Sequence, residues 1–164
     1  MKRSLLIVLL FIATISVNGQ AFTQAIGIRG GITSGFEYRR YVDDLNSYKL
    51  LLGVRNEGVQ LHALKEFHKY DLFDFAYQIV FYYGFGIHGG FESWEVVEHE
   101  FDTRRTRSKS ALIAGADVLL GLEYIFDTAP VSAGIEVKPY FDVFGKKDFD
   151  LVVYDFAFTI KYLF

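Results

Sequence analysis

Apolar and polar residues alternate along most of this chain, and the alternation is sharpest over residues 151–164. There Tyr154, Phe156, Phe158, Ile160, Tyr162 and Phe164 take the even positions, with Asp155, Ala157, Thr159 and Lys161 between them. Successive side chains of a strand point to opposite faces, so one face is wholly apolar and the other small or charged. In a water-soluble sheet a long exposed apolar strand invites aggregation. In a closed transmembrane barrel, apolar-out and polar-in is the normal alternation.

Seven earlier segments repeat the pattern, which predicts eight strands of about 10 residues each. Ile26, Ile28 and Ile32 oppose Gly27, Arg29 and Gly31, and Thr33, Ser34 and Gly35 are expected to form a loop with Gly35 at positive φ. Phe36 and Tyr38 then oppose Glu37 and Arg39, with Arg40 on the apolar face near enough to an interface to snorkel. After a polar turn over 43–48, Leu50, Leu52 and Val54 oppose Leu51, Gly53 and Arg55. A turn at 56–58 leads to Val59, Leu61, Ala63 and Phe67 against Gln60, His62, Leu64 and Glu66, with Lys65 interrupting the apolar face.

The fifth segment sets Tyr77, Ile79, Phe81, Tyr83, Phe85, Ile87 and Phe91 against Gln78, Val80, Tyr82, Gly84, Gly86, His88 and Gly90. The sixth runs from Leu112 to Phe126, with Asp117, Gly121 and Glu123 on its polar face. A tight turn over 127–130 precedes the seventh, where Val131, Ala133, Ile135, Val137, Phe141 and Val143 oppose Ser132, Gly134, Glu136, Lys138 and Asp142. The fold class is therefore all-β, an eight-stranded antiparallel up-and-down transmembrane barrel. With both termini periplasmic, the longest connection, 93–110, lies outside the cell.

Composition narrows the class further. Hydrophobic residues are 51% and aromatics 18% of the 164, which favours strands and membrane interfaces. There is no cysteine, hence no disulfide framework, and a net charge of −3 gives no basic excess for nucleic acid. Lys2 and Arg3 precede a short apolar run, with Val17 and Gly19 placed for cleavage, so residues 1–19 read as a signal peptide and 20–164 as the barrel domain. Beyond residue 20, Gly and charges break every apolar stretch before it reaches helix-spanning length. A soluble eight-stranded barrel of the lipocalin kind would carry dense polar residues on its outer face. Here the non-apolar face is mostly Gly and Ala with isolated charges, and the sole tryptophan, Trp94, lies far from the first strand.

With its strand number, loop asymmetry, GIRGG and TSG segments and terminal Phe164, the chain resembles the small outer-membrane barrels of the OmpA and OmpX type from Gram-negative bacteria. The resemblance covers everything after the signal peptide. It implies a porin-like, monomeric outer-membrane protein whose partners are outer-membrane lipid and the barrel-assembly machinery. Phe158, Ile160, Tyr162 and Phe164 would then be the assembly signal.

The candidate chemistry is mostly electrostatic. Arg29, Glu37, Arg39, Arg55, Glu123, Glu136, Lys138 and Asp155 point inward, joined by Glu66, Asp117, Asp142 and Lys161. Eight strands leave a lumen just wide enough for side chains to fill, and buried charges must be paired. A salt-bridged plug is expected, with Lys138 on Asp155; the alternative is a narrow gated pore. Of the histidines, His62 and Glu66 are too far apart along a strand to chelate one ion, and His88 reads as a lone lumen residue hydrogen-bonded within the plug. His99, between Glu98 and Glu100, with Ser93 nearby, resembles the loose Ser–His–acid sets of barrels that edit lipid A. That is the lesser alternative. GIRGG lacks the Lys and Ser/Thr of a phosphate loop. No catalytic residue, metal site or cofactor is expected.

In the outer segment, Glu95 to Asp102 is acidic and Arg104 to Lys109 basic. A two-residue turn at Asp102 and Thr103 would set Glu100 opposite Arg105 and Glu98 opposite Arg107, and Phe91 opposite Ala114. This outer hairpin is expected to serve surface interaction with an unidentified ligand.

Overall fold

The computed structural model describes residues 22–55, 58–73, 76–100, 103–144 and 149–164, with backbone alone for 95–100 and 103–108. The expected signal peptide, the turn residues 56–57 and the connection 145–148 lie outside these. Ten strand segments occur: β1 (Gln24–Gly31), β2 (Ser34–Tyr41), β3 (Asn46–Arg55), β4 (Gly58–Lys69), β5 (Ile79–Glu100), β6 (Thr103–Ile125), β7 (Val131–Val137), β8 (Tyr140–Phe144), β9 (Asp150–Val152) and β10 (Phe156–Leu163). All the pairings are antiparallel, β1 to β6 each pair with the next strand in sequence, and β1 pairs with β10 to close the ring. Both β7 and β8 pair with β6, so they are two halves of the seventh stave; β9 and β10 likewise make the eighth. The result is a closed, eight-staved, all-β barrel.

The interruption of the last two staves was not expected, and it has a local cause. Tyr140 pairs with Val152, whereas Val137 pairs with Phe156. Between those rungs Lys138 and Pro139 face Val153, Tyr154 and Asp155, an extra residue that makes a β-bulge. Proline has no N–H to give the ladder, so the break falls beside Pro139. The bulge leaves Val153 and Tyr154 both outward, at 59% and 65% exposure, and turns Asp155 fully inward. The Lys138 N–H still donates to the Asp155 carbonyl at 2.9 Å.

Two expected turns move by a residue or more. Ser34 and Gly35 belong to β2, and the first turn falls at Ile32 and Thr33. Ser34 Oγ accepts from the Gly31 N–H at 3.0 Å and donates to the Gly31 carbonyl at 2.8 Å, which holds the turn. Gly35 is demanded by packing rather than by φ: an added Cβ would overlap the Leu52 carbonyl on β3. The second turn occupies 42–45, because Asn46, Ser47 and Tyr48 already pair within β3. There the Asn46 amide at 2.8 Å and the Leu45 N–H at 2.9 Å hold the Asp43 carboxyl below its usual pKa.

The β5–β6 hairpin is correct in kind and wrong in register. Its ladder runs unbroken from Ile79–Tyr124 to Glu100–Thr103. Glu98 therefore faces Arg105, Val96 faces Arg107, and Phe91 faces Leu112, two residues from the expected pairing. A two-residue slip preserves every face, so parity could not reveal it. Exposed cross-strand charge pairs contribute about 0–1 kcal/mol each, too little to outweigh the ladder below. Above Phe91, where β4 ends its pairing, the hairpin continues as a two-stranded ribbon.

Candidate functional site

The barrel is built inside out. Large apolar side chains stand exposed on the outer face of the staves, among them Ile28 at 53%, Phe36 at 70%, Ile87 at 68% and Phe158 at 74%. Lys65, which interrupts that face, lies with its Nζ 5.1 Å from the Phe67 ring centre. Inside, among the described residues, six buried Arg and Lys side chains meet seven buried Asp and Glu. Gly84, Gly86, Gly121 and Gly134 line the inner faces. At Gly121 an added Cβ would collide with the Tyr82 ring, so this glycine is what lets the ring cross the lumen.

The interior charges form two tiers. In the tier toward the termini, Arg39 reaches Glu66 and Glu123, each at 2.6 Å, with its guanidinium 4.7 Å from the centre of the Tyr82 ring. Lys49 lies 2.7 Å from both Glu37 and Glu136, and Lys161 lies 3.4 Å from Glu37 and 3.3 Å from Glu123. Arg29 holds Glu136 at 2.5 Å, and Tyr82 donates to Glu136 at 2.9 Å. Ser47 donates to Glu66 at 2.9 Å, and the Ser132 hydroxyl donates to Glu123. Four cations thus meet four carboxylates.

Arg29 also reaches Asp155 at 3.2 Å and so joins the second tier. Lys138 lies 3.4 Å from Asp155 and 3.0 Å from Asp117. Asp117 Oδ2 in turn meets His62 Nδ1 at 3.0 Å and His88 Nδ1 at 3.2 Å. His88 Nε2 is 2.7 Å from Asp142, and Arg55 holds Asp142 at 3.0 Å while lying 3.9 Å from the Tyr140 ring centre. Between the tiers Leu64, Tyr82 and Leu119 pack together.

All eight residues singled out for the lumen network are therefore buried in it. Lys138 and Asp155 do meet, but each has other partners, so the pair is a link in a chain. Lys49 falls between the expected turn over 43–48 and the expected strand from Leu50; two residues before the inward Leu51, it shares that face and is buried. His88 is hydrogen-bonded within the plug as expected, to Asp117 and Asp142, but it is not a lone histidine, since its ring lies 5.1 Å from that of His62. Strand alternation names the face of each residue and says nothing about its level across neighbouring strands, which only the register supplies. On the outside, Phe158, Ile160 and Phe164 are exposed, and Tyr162 stacks on Phe164 with ring centres 6.1 Å apart. The Gln24 N–H and carbonyl pair with Phe164 at 2.8 and 2.9 Å, closing the seam. Glu98 and Glu100, with Arg105 and Arg107, lie on opposite strands of the ribbon.

No family model matches this sequence, and no curated protein matches it. Among solved structures, the N-terminal β-barrel domain of Pseudomonas aeruginosa OprF superposes on it with a TM-score of 0.54 at 12% sequence identity. The match covers 88% of this chain and 100% of the OprF domain. At that identity the likeness is one of fold: this chain has the architecture of a small eight-stranded barrel of the OmpA type.

Proposed function

We propose that the chain is a non-enzymatic outer-membrane barrel of a Gram-negative bacterium, with a closed lumen and a surface-interaction role carried by the β5–β6 ribbon. The observation that carries this reading is the inversion of polarity. A belt of exposed Ile, Leu, Val and Phe encircles a charged interior, and only a lipid-facing wall makes that arrangement stable. The OprF domain, whose fold it shares, supports the same placement.

The closed lumen rests on the chain of ion pairs and histidine hydrogen bonds from Arg39 through Glu136, Asp155, Asp117 and His88 to Asp142 and Arg55, which crosses the interior from one tier to the other. A buried pair is strongly destabilising to break from one side, so this plug is costly to open. The ribbon role rests on length: β5 and β6, at 22 and 23 residues, are roughly twice the length that spans a bilayer.

Three measurements test the reading. The folded protein should fractionate with outer membranes and run faster on gels unheated than boiled; recovery as a soluble periplasmic protein overturns the placement. Planar bilayers should show no steady single-channel conductance, and a reproducible conductance abolished by blocking the lumen would establish the pore instead. Removing residues 95–109 should abolish a cell-surface binding phenotype while the barrel still assembles.

A further inference from the structure

In the second tier, His62 on β4, His88 on β5 and Asp117 on β6 come from three consecutive strands. His62 and His88 are directly paired across the β4–β5 ladder, with ring centres 5.1 Å apart. One ligand-capable atom from each of the three residues lies within 4.8 Å of the other two. Both Nδ1 atoms converge on a single oxygen, Asp117 Oδ2, at 3.0 and 3.2 Å. Donor atoms around a tetrahedral ion with bonds of about 2.0–2.1 Å stand roughly 3.3–3.4 Å apart, so two edges are already near that length.

The surroundings are those of a built site. Asp142 Oδ1 holds His88 Nε2 at 2.7 Å, which directs Nδ1 at Asp117; a carboxylate behind a histidine is the usual support of a metal-bound imidazole. Lys138 holds the other Asp117 oxygen, Oδ1, at 3.0 Å, leaving Oδ2 to face the rings. Gly115 makes room, since an added Cβ there would lie 2.6 Å from His88 Cε1. Charge points the same way: the described interior as a whole buries seven carboxylates against six Arg and Lys side chains, one negative charge in excess.

We infer that His62 Nδ1, His88 Nδ1 and Asp117 Oδ2 form a binding site for a divalent transition ion of the zinc class. Two imidazoles and one carboxylate suit zinc, nickel or copper, and are a poor match for calcium or magnesium, which take oxygen ligands. Coordination needs both Nδ1 lone pairs, so His88 releases its Nδ1 proton to solvent, and His62 gives up the Nδ1 proton it donates to Asp117 and carries its single proton on Nε2 instead. Asp142 and Lys138 are positioning residues that act through His88 and Asp117.

The test is titration of the folded full chain in detergent with zinc, in competition with a chromophoric chelator. One ion per chain is expected, and cobalt in its place should give the visible absorption of a four-coordinate site. His62→Gln and His88→Gln, checked for folding by gel mobility, should each weaken binding at least about tenfold, and Asp142→Asn about 10- to 100-fold. His68→Gln, whose Nε2 lies 2.8 Å from Ser47 in the other tier, should bind as the native protein does. Folded native protein that takes up no stoichiometric zinc overturns the site and leaves His88 simply protonated between its two carboxylates. Binding that is unchanged in both histidine variants also overturns it. Should those variants fail to fold, X-ray absorption of the zinc-loaded native protein decides, because a shell without two imidazole ligands is incompatible with the proposal.

Discussion

Arg39 concentrates the consequences of a charged interior in one residue. It touches Glu66 and Glu123 and lies against Tyr82, so Arg39→Met leaves two carboxylates buried beside an apolar stem. The expected cost is about 3–5 kcal/mol, read as a fall in the denaturant midpoint of the folded gel band. Adding Glu66→Gln and Glu123→Gln should recover part of that loss, because each removes a stranded charge; strict additivity would mean that the three side chains do not interact. Gly121 makes a second, steric prediction. Gly121→Val drives into the Tyr82 ring, and displacing it breaks the 2.9 Å bond to Glu136. Overpacking of this kind costs about 1–3 kcal/mol, and Tyr82→Phe in the same background should add little more, since the bond is already lost. At this scale the sequence was legible as to face. Arg29, Glu37 and Lys161 could be assigned inward from alternation alone, but the meeting of His62 with His88 depends on a register that alternation leaves free.

Among the elements, the bulge opposite Pro139 and the β5–β6 ribbon carry what the sequence pattern could not. The pattern reads the last stave as one strand of constant parity. Leu151 and Val153 nevertheless face outward together with Tyr154, because the extra residue resets the phase. The reset is what places Asp155 where Thr33 N–H, Arg29 and Lys138 converge, at 3.0, 3.2 and 3.4 Å. Deleting Val153 should therefore destabilise the barrel far more than Val153→Ala, although both remove an exposed side chain. Equal unfolding midpoints for the two would show that the bulge has no such role. For the ribbon, a disulfide requires Cα atoms within about 7 Å, a distance met by directly opposed residues and exceeded by diagonal ones. Cysteines at 98 and 105 should crosslink readily, and those at 98 and 107 slowly. The reverse preference would restore the register suggested by the charge pattern alone.

For the whole molecule, the decisive property is which side of the wall meets water, and alternation by itself cannot say. A soluble barrel with an apolar interior and this barrel share the same period; they differ in whether Phe158 or Lys161 points to the axis. Closure settles it: Lys161 is buried against Glu37 and Glu123 while Phe158 is 74% exposed. The depth dependence of a charge on that outer face then becomes a measurement of the surrounding medium. Phe158 stands between Phe156 and Ile160 on its stave, well inside the apolar belt, whereas Leu72 lies in the connection between β4 and β5. In lipid, Phe158→Arg should cost about 2–4 kcal/mol and Leu72→Arg about 0–1, by reversible unfolding from bilayer vesicles. In water, an exposed Phe exchanged for Arg should be neutral or should improve solubility, and the two positions should not differ. A large penalty confined to Phe158 would establish the lipid-facing belt without reference to any relative; equal, small effects at both sites would remove the physical ground for placing this barrel in a membrane.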